Sequence, residues 1–212
     1  MTIAQAATEL SARDSILRDR ILSAAATLTA EGGWSTVTMA RLADRVGVSR
    51  QTIYNEVGSK PALAESLVRR ELARFLAIVN ESFDRHPGDA VEAIRAATLG
   101  VLELARRDPL VGAVVAGSYG ADSDLLPLLT TRSRALVESV TAAIASYVEQ
   151  YDVPIAHDRR DAAIDGIVRI VLSHIIQPGT DPTAVADDVA WISGRILAEP
   201  DPTAVSPSHR HV

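Results

Sequence analysis

Residues 36–60 read TVTMARLADRVGVSRQTIYNEVGSK, and this stretch decides the fold. Thr38 is placed as the N-cap of a short helix that carries Met39, Leu42, Ala43 and Val46 on one face. Gly47 stops that helix. Ser49 caps a second short helix, Arg50 to Glu56, and Gly58 ends it in turn. Two short helices joined by Gly47-Val48-Ser49 make a helix-turn-helix. In the second helix Ile53 and Val57 lie four residues apart and face back toward Leu42 and Val46. The opposite face shows Arg50, Gln51, Thr52, Tyr54 and Asn55. Those residue types suit a DNA major groove: Arg for guanine, Gln or Asn for adenine, and a Thr methyl for thymine. Any exposed short helix also shows polar residues, so order matters as well as composition.

That order holds on both sides. Upstream, Leu17, Ile21, Ala24, Ala25 and Leu28 recur at three- and four-residue steps and give one apolar stripe, closed by Gly32 and Gly33. Downstream, Ser59 caps a long helix with Pro61 in its first turn. Leu63, Leu67, Phe75, Leu76, Val79 and Phe83 keep its period until Pro87 and Gly88. Lys60 stands beside the first free amides of this helix, and together they form a two-part phosphate clamp. Further helical segments follow over 89–107, 109–116, 130–151, 158–177 and 182–199, separated by Pro109, a loop from Gly117 to Asp124, Pro154 and the Pro178-Gly179 pair. No stretch alternates with a two-residue period, so no sheet is expected.

The predicted fold is therefore all-α, with about nine helices. A disordered arm covers 1–12, a trihelical helix-turn-helix domain 13–59, a larger helical domain 60–200 and a disordered tail 201–212. The two domains are joined by the long helix.

Composition limits the function. The 212 residues carry a net charge of −6 and no cysteine, which excludes disulfide scaffolds, cysteine nucleophiles and thiolate metal sites. Seven basic residues stand against six acidic ones in 1–60, and fourteen against twenty-one in 61–212. The N-terminal part can thus present a local basic face inside an acidic chain. Glu9 and Asp14 interrupt any signal-peptide pattern, and charge breaks every apolar run, so a cytoplasmic protein without a membrane segment is expected.

The run from Ile16 to Leu63 resembles the DNA-binding domain of the TetR family of transcriptional regulators. The resemblance rests on Gly32-Gly33-Trp34, Thr36-Val37-Thr38, Leu42-Ala43, Val46-Gly47-Val48-Ser49, Thr52-Ile53-Tyr54 and Ser59-Lys60 with Leu63. It covers about a quarter of the chain closely; the remainder is similar in helix count and order. It implies that Thr38 and Tyr54 contact phosphate, that Ser49 to Asn55 read the groove, and that Lys60 anchors the backbone. One residue departs: Glu56 stands where the family usually has an aromatic residue or histidine. A carboxylate there repels phosphate unless it accepts from cytosine N4 or turns inward to an arginine. The sequence also resembles members of this family that control alkane-hydroxylase or lipid-metabolism genes.

The resemblance further implies that the larger domain forms a homodimer and binds a small effector. Ile164, Ile167, Val168, Val171 and Ile175 make one wide apolar stripe, and Val185, Val189, Ile192, Ile196 and Leu197 another. Gly166 and Gly194 lie inside these two helices, at about 1 kcal/mol each relative to alanine, which close helix–helix approach would explain. With Trp191 as an interface anchor, the expected dimer contacts are Ile164, Gly166, Ile167, Val171, Ile175, Trp191 and Gly194. The same stripes can equally pack within one chain. For the effector, the candidate lining is Phe75, Val79, Phe83, Leu102, Val114, Val140, Ile144 and Ile170, with Tyr119, Tyr147 and His174 as polar points. Only 4% of residues are aromatic, which disfavours a stacking pocket for flat cations and favours an aliphatic tunnel. A fatty acid, acyl-thioester or alkane-derived lipid fits that description.

Enzymatic signals are poor. The histidines at 86, 157, 174, 209 and 211 are scattered, with only His209 and His211 close together, in the tail. There is no glycine-rich phosphate loop, nucleophile elbow or paired-carboxylate motif, so no cofactor, metal or catalytic residue is expected. The expected function is that of a ligand-responsive repressor on a pseudo-palindromic operator. The alternative is a soluble lipid-binding or carrier protein whose trihelical unit docks on something other than DNA.

Overall fold

The computed structural model describes residues 3–112, 133–151, 155, 157–179 and 181–198. The fold is all-α. In order come α1 (Ile3–Gly32), a 3-10 turn (Trp34–Thr36), α2 (Met39–Val46), α3 (Arg50–Val57), α4 (Lys60–Arg85), α5 (Ala90–Arg107), α6 (Ser133–Val148), α7 (His157–Ile176) and α8 (Pro182–Leu197). Of the expected segment 109–116, the described residues 109–112 are helical. The tail 201–212 lies outside the described residues.

One correction concerns the N-terminus. Helix α1 begins at Ile3, inside the stretch expected to be a disordered arm. The reason is in the residues: Ala4, Ala6, Ala7, Glu9, Leu10, Ala12 and Arg13 are good helix formers, and no Pro or Gly occurs before Gly32.

The described residues fall into two compact units, Met1–Arg74 with Ala105–Arg134, and Phe75–Leu104 with Ala135–Val212. This division falls within α4, between Arg74 and Phe75, while the sequence alone sets the end of the helix-turn-helix domain at residue 59. A chain break is a poor guide here, because α4 runs through without one and its two halves pack on different cores.

The core of the first unit gathers Ile21, Leu22, Ala25 and Leu28 from α1, Leu42 and Val46 from α2, Ile53 and Val57 from α3, and Leu63 and Leu67 from α4. Trp34 and Val37 seal it from the turn that follows α1. Thr38 accepts from the Arg41 amide at 3.2 Å and caps α2. Gly47 ends α2 in the left-handed region, φ 77° and ψ 39°, where a side chain would be strained. The same unit holds a charged cluster. Arg74 donates to both Glu71 and Asp108, whose carboxylates are buried, and Asp108 Oδ1 accepts from the Leu110 amide at 2.9 Å.

The second unit is built differently. Val79 and Phe83 of α4 meet Ala93, Ile94, Ala97 and Val101 of α5, Val148 of α6, Ile164 and Val168 of α7, and Val185 and Val189 of α8. Helix α5 is capped by Asp89, which accepts from the Glu92 amide at 2.9 Å. Gly100 lets α5 come close to α4: a Cβ there would lie 2.6 Å from Ile78 Cγ2. Tyr151 closes the end of α4, its hydroxyl shared between the Phe83 carbonyl at 3.1 Å and the His86 carbonyl at 3.0 Å. Its ring meets Phe83 edge-on, with centroids 5.8 Å apart. Burial, with Asp89 and Asp84 nearby, raises the Tyr151 phenol above its ordinary value.

Candidate nucleic-acid interface

Helix α3 is held from below and left bare above. Ile53 is fully buried and Val57 nearly so, four residues apart on the face turned to α1 and α2. Arg50, Gln51, Tyr54 and Asn55 are exposed, and Tyr54 keeps 51% of its surface open. These four occupy one face at i, i+1, i+4 and i+5. Gln51 Nε2 donates to Asn55 Oδ1 at 2.9 Å, which fixes two amides side by side before any ligand arrives.

Ser49 does more capping than reading. Its Oγ accepts from the Thr52 amide at 3.0 Å and lies 2.8 Å from Thr52 Oγ1. The two hydroxyls hydrogen-bond each other, so between them one O–H is left for an outside acceptor. Thr52 is half-buried accordingly. Thr38 is exposed and keeps its O–H free while its oxygen caps α2.

Lys60 opens α4, and its ammonium sits over the Trp34 ring, 5.2 Å from the centroid. Ser59 Oγ accepts from the Ala62 amide at 3.4 Å. Glu56 is half-buried, and the arginine that meets it does so through the backbone: Arg18 donates to the Glu56 carbonyl. The carboxylate itself is not drawn into a described ion pair.

Two residues that hold this surface are not legible in the sequence. Arg18 of α1 donates to the Glu56 carbonyl at the end of α3 and to Ser66 Oγ at 3.0 Å. Arg20, also of α1, donates to the Val46 carbonyl at the end of α2 at 2.8 Å. A cation at a helix C-terminus satisfies an orphan carbonyl and the negative end of the dipole together. So α1 grips both helices of the motif by their C-termini. On an amphipathic helix such arginines read only as a solvated face, since nothing in the spacing names a partner 26 or 38 residues away.

Residues 21–67 match the model of bacterial regulatory proteins of the tetR family, and residues 89–195 match that of the bacterial Tetracyclin repressor C-terminal domain. The chain belongs to the TetR family. It is a transcriptional regulator with a DNA-binding helix-turn-helix, and not an enzyme. The HTH-type transcriptional regulator AlkX of Mycobacterium tuberculosis is 33% identical over 82% of each chain. The crystal structure of the TetR family repressor AlkX from Dietzia sp., implicated in biodegradation of n-alkanes, is similar at 30% identity and a TM-score of 0.67, covering 84% of this chain and 96% of that one. A TetR-family regulator structure from Mesorhizobium loti, 16% identical, covers 88% and 97% with a TM-score of 0.67 and shows the fold alone.

The TetR-family match reaches beyond the N-terminal motif into the second unit. There the structure gathers many of the predicted effector residues into one cluster: Val79, Phe83 and Leu102 are buried, and Phe75, Val140, Ile144, Tyr147 and Ile170 pack against them. Phe83 is core packing, 2% exposed and against both Tyr147 and Tyr151. His174 is half-buried on α7 and stands outside that cluster. Val114 and Tyr119 lie outside the described residues.

The predicted dimer residues divide into two sets. Ile164 is buried in the core of its own chain, and the bare face of Gly194 looks onto Val91 at 3.7 Å, so these two turn inward. Ile164 shares its face with Val168, one turn on, and both are buried in the core of the second unit. Gly166 faces open space, Ile167, Val171 and Ile175 are half-buried, and Trp191 is 65% exposed with Arg195 against its ring at 5.6 Å. Among the described residues no helix is long and apolar enough to cross a membrane.

Proposed function

We propose that this TetR-family regulator is a repressor that binds a pseudo-palindromic operator as a homodimer and is released by an aliphatic effector. The observation that carries the reading is α3: two apolar residues bury one face, and Arg50, Gln51, Tyr54 and Asn55 leave the other free for base edges. Arg50 reads guanine, the paired amides of Gln51 and Asn55 read adenine, and Thr38, Tyr54 and Lys60 hold phosphates. A dimer sets two such helices into successive major grooves, about 34 Å apart.

Gly166, Ile167, Val171, Ile175 and Trp191 supply the dimer face: Trp191 is an exposed large ring, and the three aliphatics pack on their own core yet keep part of their surface open, which gains from a partner. The effector is a fatty acid, acyl-thioester or alkane-derived lipid. Support comes from the aliphatic character of the second unit's core and from the likeness to AlkX, whose Dietzia relative is implicated in n-alkane biodegradation. Effector bound beside the second half of α4 shifts that helix, and a coupling of about 1–3 kcal/mol suffices for induction. The protein acts in the cytoplasm, where the operator is.

Selection of random duplex DNA on the purified protein, at physiological salt, tests the reading. An enriched inverted repeat, released by a long-chain acyl compound, is the expected result. Enrichment of a single half-site removes the dimer. No enrichment from folded, lipid-free protein supports the carrier alternative. Tight lipid binding that leaves operator affinity unchanged removes the induction mechanism.

A further inference from the structure

Lys60 is the single lysine of the chain, beside twenty arginines. It stands in the first turn of α4, where the helix dipole disfavours a cation. Something must offset that placement, and the partner the structure gives the ammonium is an aromatic face. Trp34 lies 5.2 Å from it, centroid to Nζ, inside the range of a cation–π contact. The ring itself is fixed. Trp34 is 6% exposed, its carbonyl accepts from the Val37 amide at 3.1 Å, and Gly33 before it donates to the Thr29 carbonyl at 2.8 Å.

We propose that Trp34 is the positioning residue for the Lys60 phosphate contact. Its indole face holds the ammonium near the start of α4, so the cation reaches DNA already placed rather than swinging free on four methylenes. A compact ammonium suits this position. It delivers a point charge to phosphate, and it keeps its three N–H donors while resting on the ring. The inference rests on the DNA-binding reading and adds to it a residue that makes no contact with DNA.

The test is a double-substitution cycle on a mixed-sequence duplex, because a phosphate contact needs no particular sequence. Trp34→Leu should weaken binding about two- to fivefold, and Trp34→Phe should weaken it less. Trp34→Phe keeps a buried ring, so it carries the test if Trp34→Leu does not fold. In a Lys60→Met background, which keeps the side-chain stem and removes the charge, neither change should weaken binding further. A second readout uses the single lysine directly. Reductive methylation with a carbon-13 label keeps the charge and gives one side-chain signal, shifted upfield by the indole ring current in the native protein and not in Trp34→Leu or, where that chain does not fold, reduced in Trp34→Phe. Equal losses in the Lys60 and Met backgrounds, or a native lysine signal at its free-lysine position, overturn the proposal. If the native chain binds no duplex at all, the DNA-binding reading fails first and this one with it.

Discussion

The two units hold themselves together by different means. In the first, short helices end every eight residues and each end has a named partner: Thr38 and Ser49 at the starts of α2 and α3, Arg20 and Arg18 at their ends. In the second, helices of 16 to 20 residues lie on an aliphatic core. A surface that must present particular side chains to a groove needs fixed helix ends. An aliphatic core is held by packing along its helices more than by their ends. The contrast places rigidity at the DNA end of the molecule.

Substitutions can break or sharpen this contrast, and the largest effect belongs to packing. Phe83→Ala should cost about 3–5 kcal/mol in a denaturant titration, because it empties a buried site against two tyrosine rings. A loss under about 1 kcal/mol would show that the second core collapses freely around the hole and is not held by this ring.

Next comes the reading face. Arg50→Ala should cost about 1–3 kcal/mol on the selected operator and relax preference at one base position, while leaving the melting temperature unchanged. If affinity for random duplex falls as much, Arg50 is a phosphate contact and the division of roles on α3 is wrong.

The capping argument predicts a smaller effect. Ser49→Ala should destabilise the first unit by about 1 kcal/mol and should not be rescued by salt. Arg20→Ala should do at least as much, since it leaves the Val46 carbonyl without its charged donor. Neutral outcomes for both would remove the claim that the DNA end is fixed by its helix ends.

The smallest effect is on Tyr151. Tyr151→Phe loses a shared hydrogen bond, about 0.5–1.5 kcal/mol near neutral pH. Burial holds the native phenol above its ordinary value, so the folded state keeps its proton longer than the unfolded one. The stability this group contributes is present below a pH of about 10 and is lost as pH rises toward the folded value. The phenylalanine variant does not titrate there, so its deficit should shrink above pH 10. A constant deficit up to the alkaline limit would place the hydroxyl in solvent.

Much of the first unit was legible because its signals are local. Thr38, Gly47, Ser49 and Gly58 each act within a few residues of themselves, and Ile53 and Val57 declare the buried face of α3 by spacing alone. Arg18 and Arg20 were not legible, because a guanidinium on an exposed face gives no sign of which distant carbonyl it reaches. The second unit was harder for a related reason. Its α7 stripe runs through Ile164, Ile167, Val168, Val171 and Ile175, more than one face can hold. Periodicity showed that the helix was apolar, and only the packed structure showed that Ile164 turns inward. Gly194 is ambiguous in the same way: a glycine announces close approach without saying to what, and here a Cβ would meet Val91 of the same chain. At the N-terminus the difference runs the other way: a stretch whose Ala/Thr-rich composition suggests disorder is helical from Ile3.

Helix α4 has one consequence of its own. Its 26 residues form a single unbroken screw, Leu63 and Leu67 seated in the first core and Val79 and Phe83 in the second. Each residue advances such a screw by about 100° and 1.5 Å, so one residue inserted near Arg74 would turn one pair of anchors a quarter-turn or more away from the other. Along α4 the order and number of residues therefore carry information that the residue types alone do not.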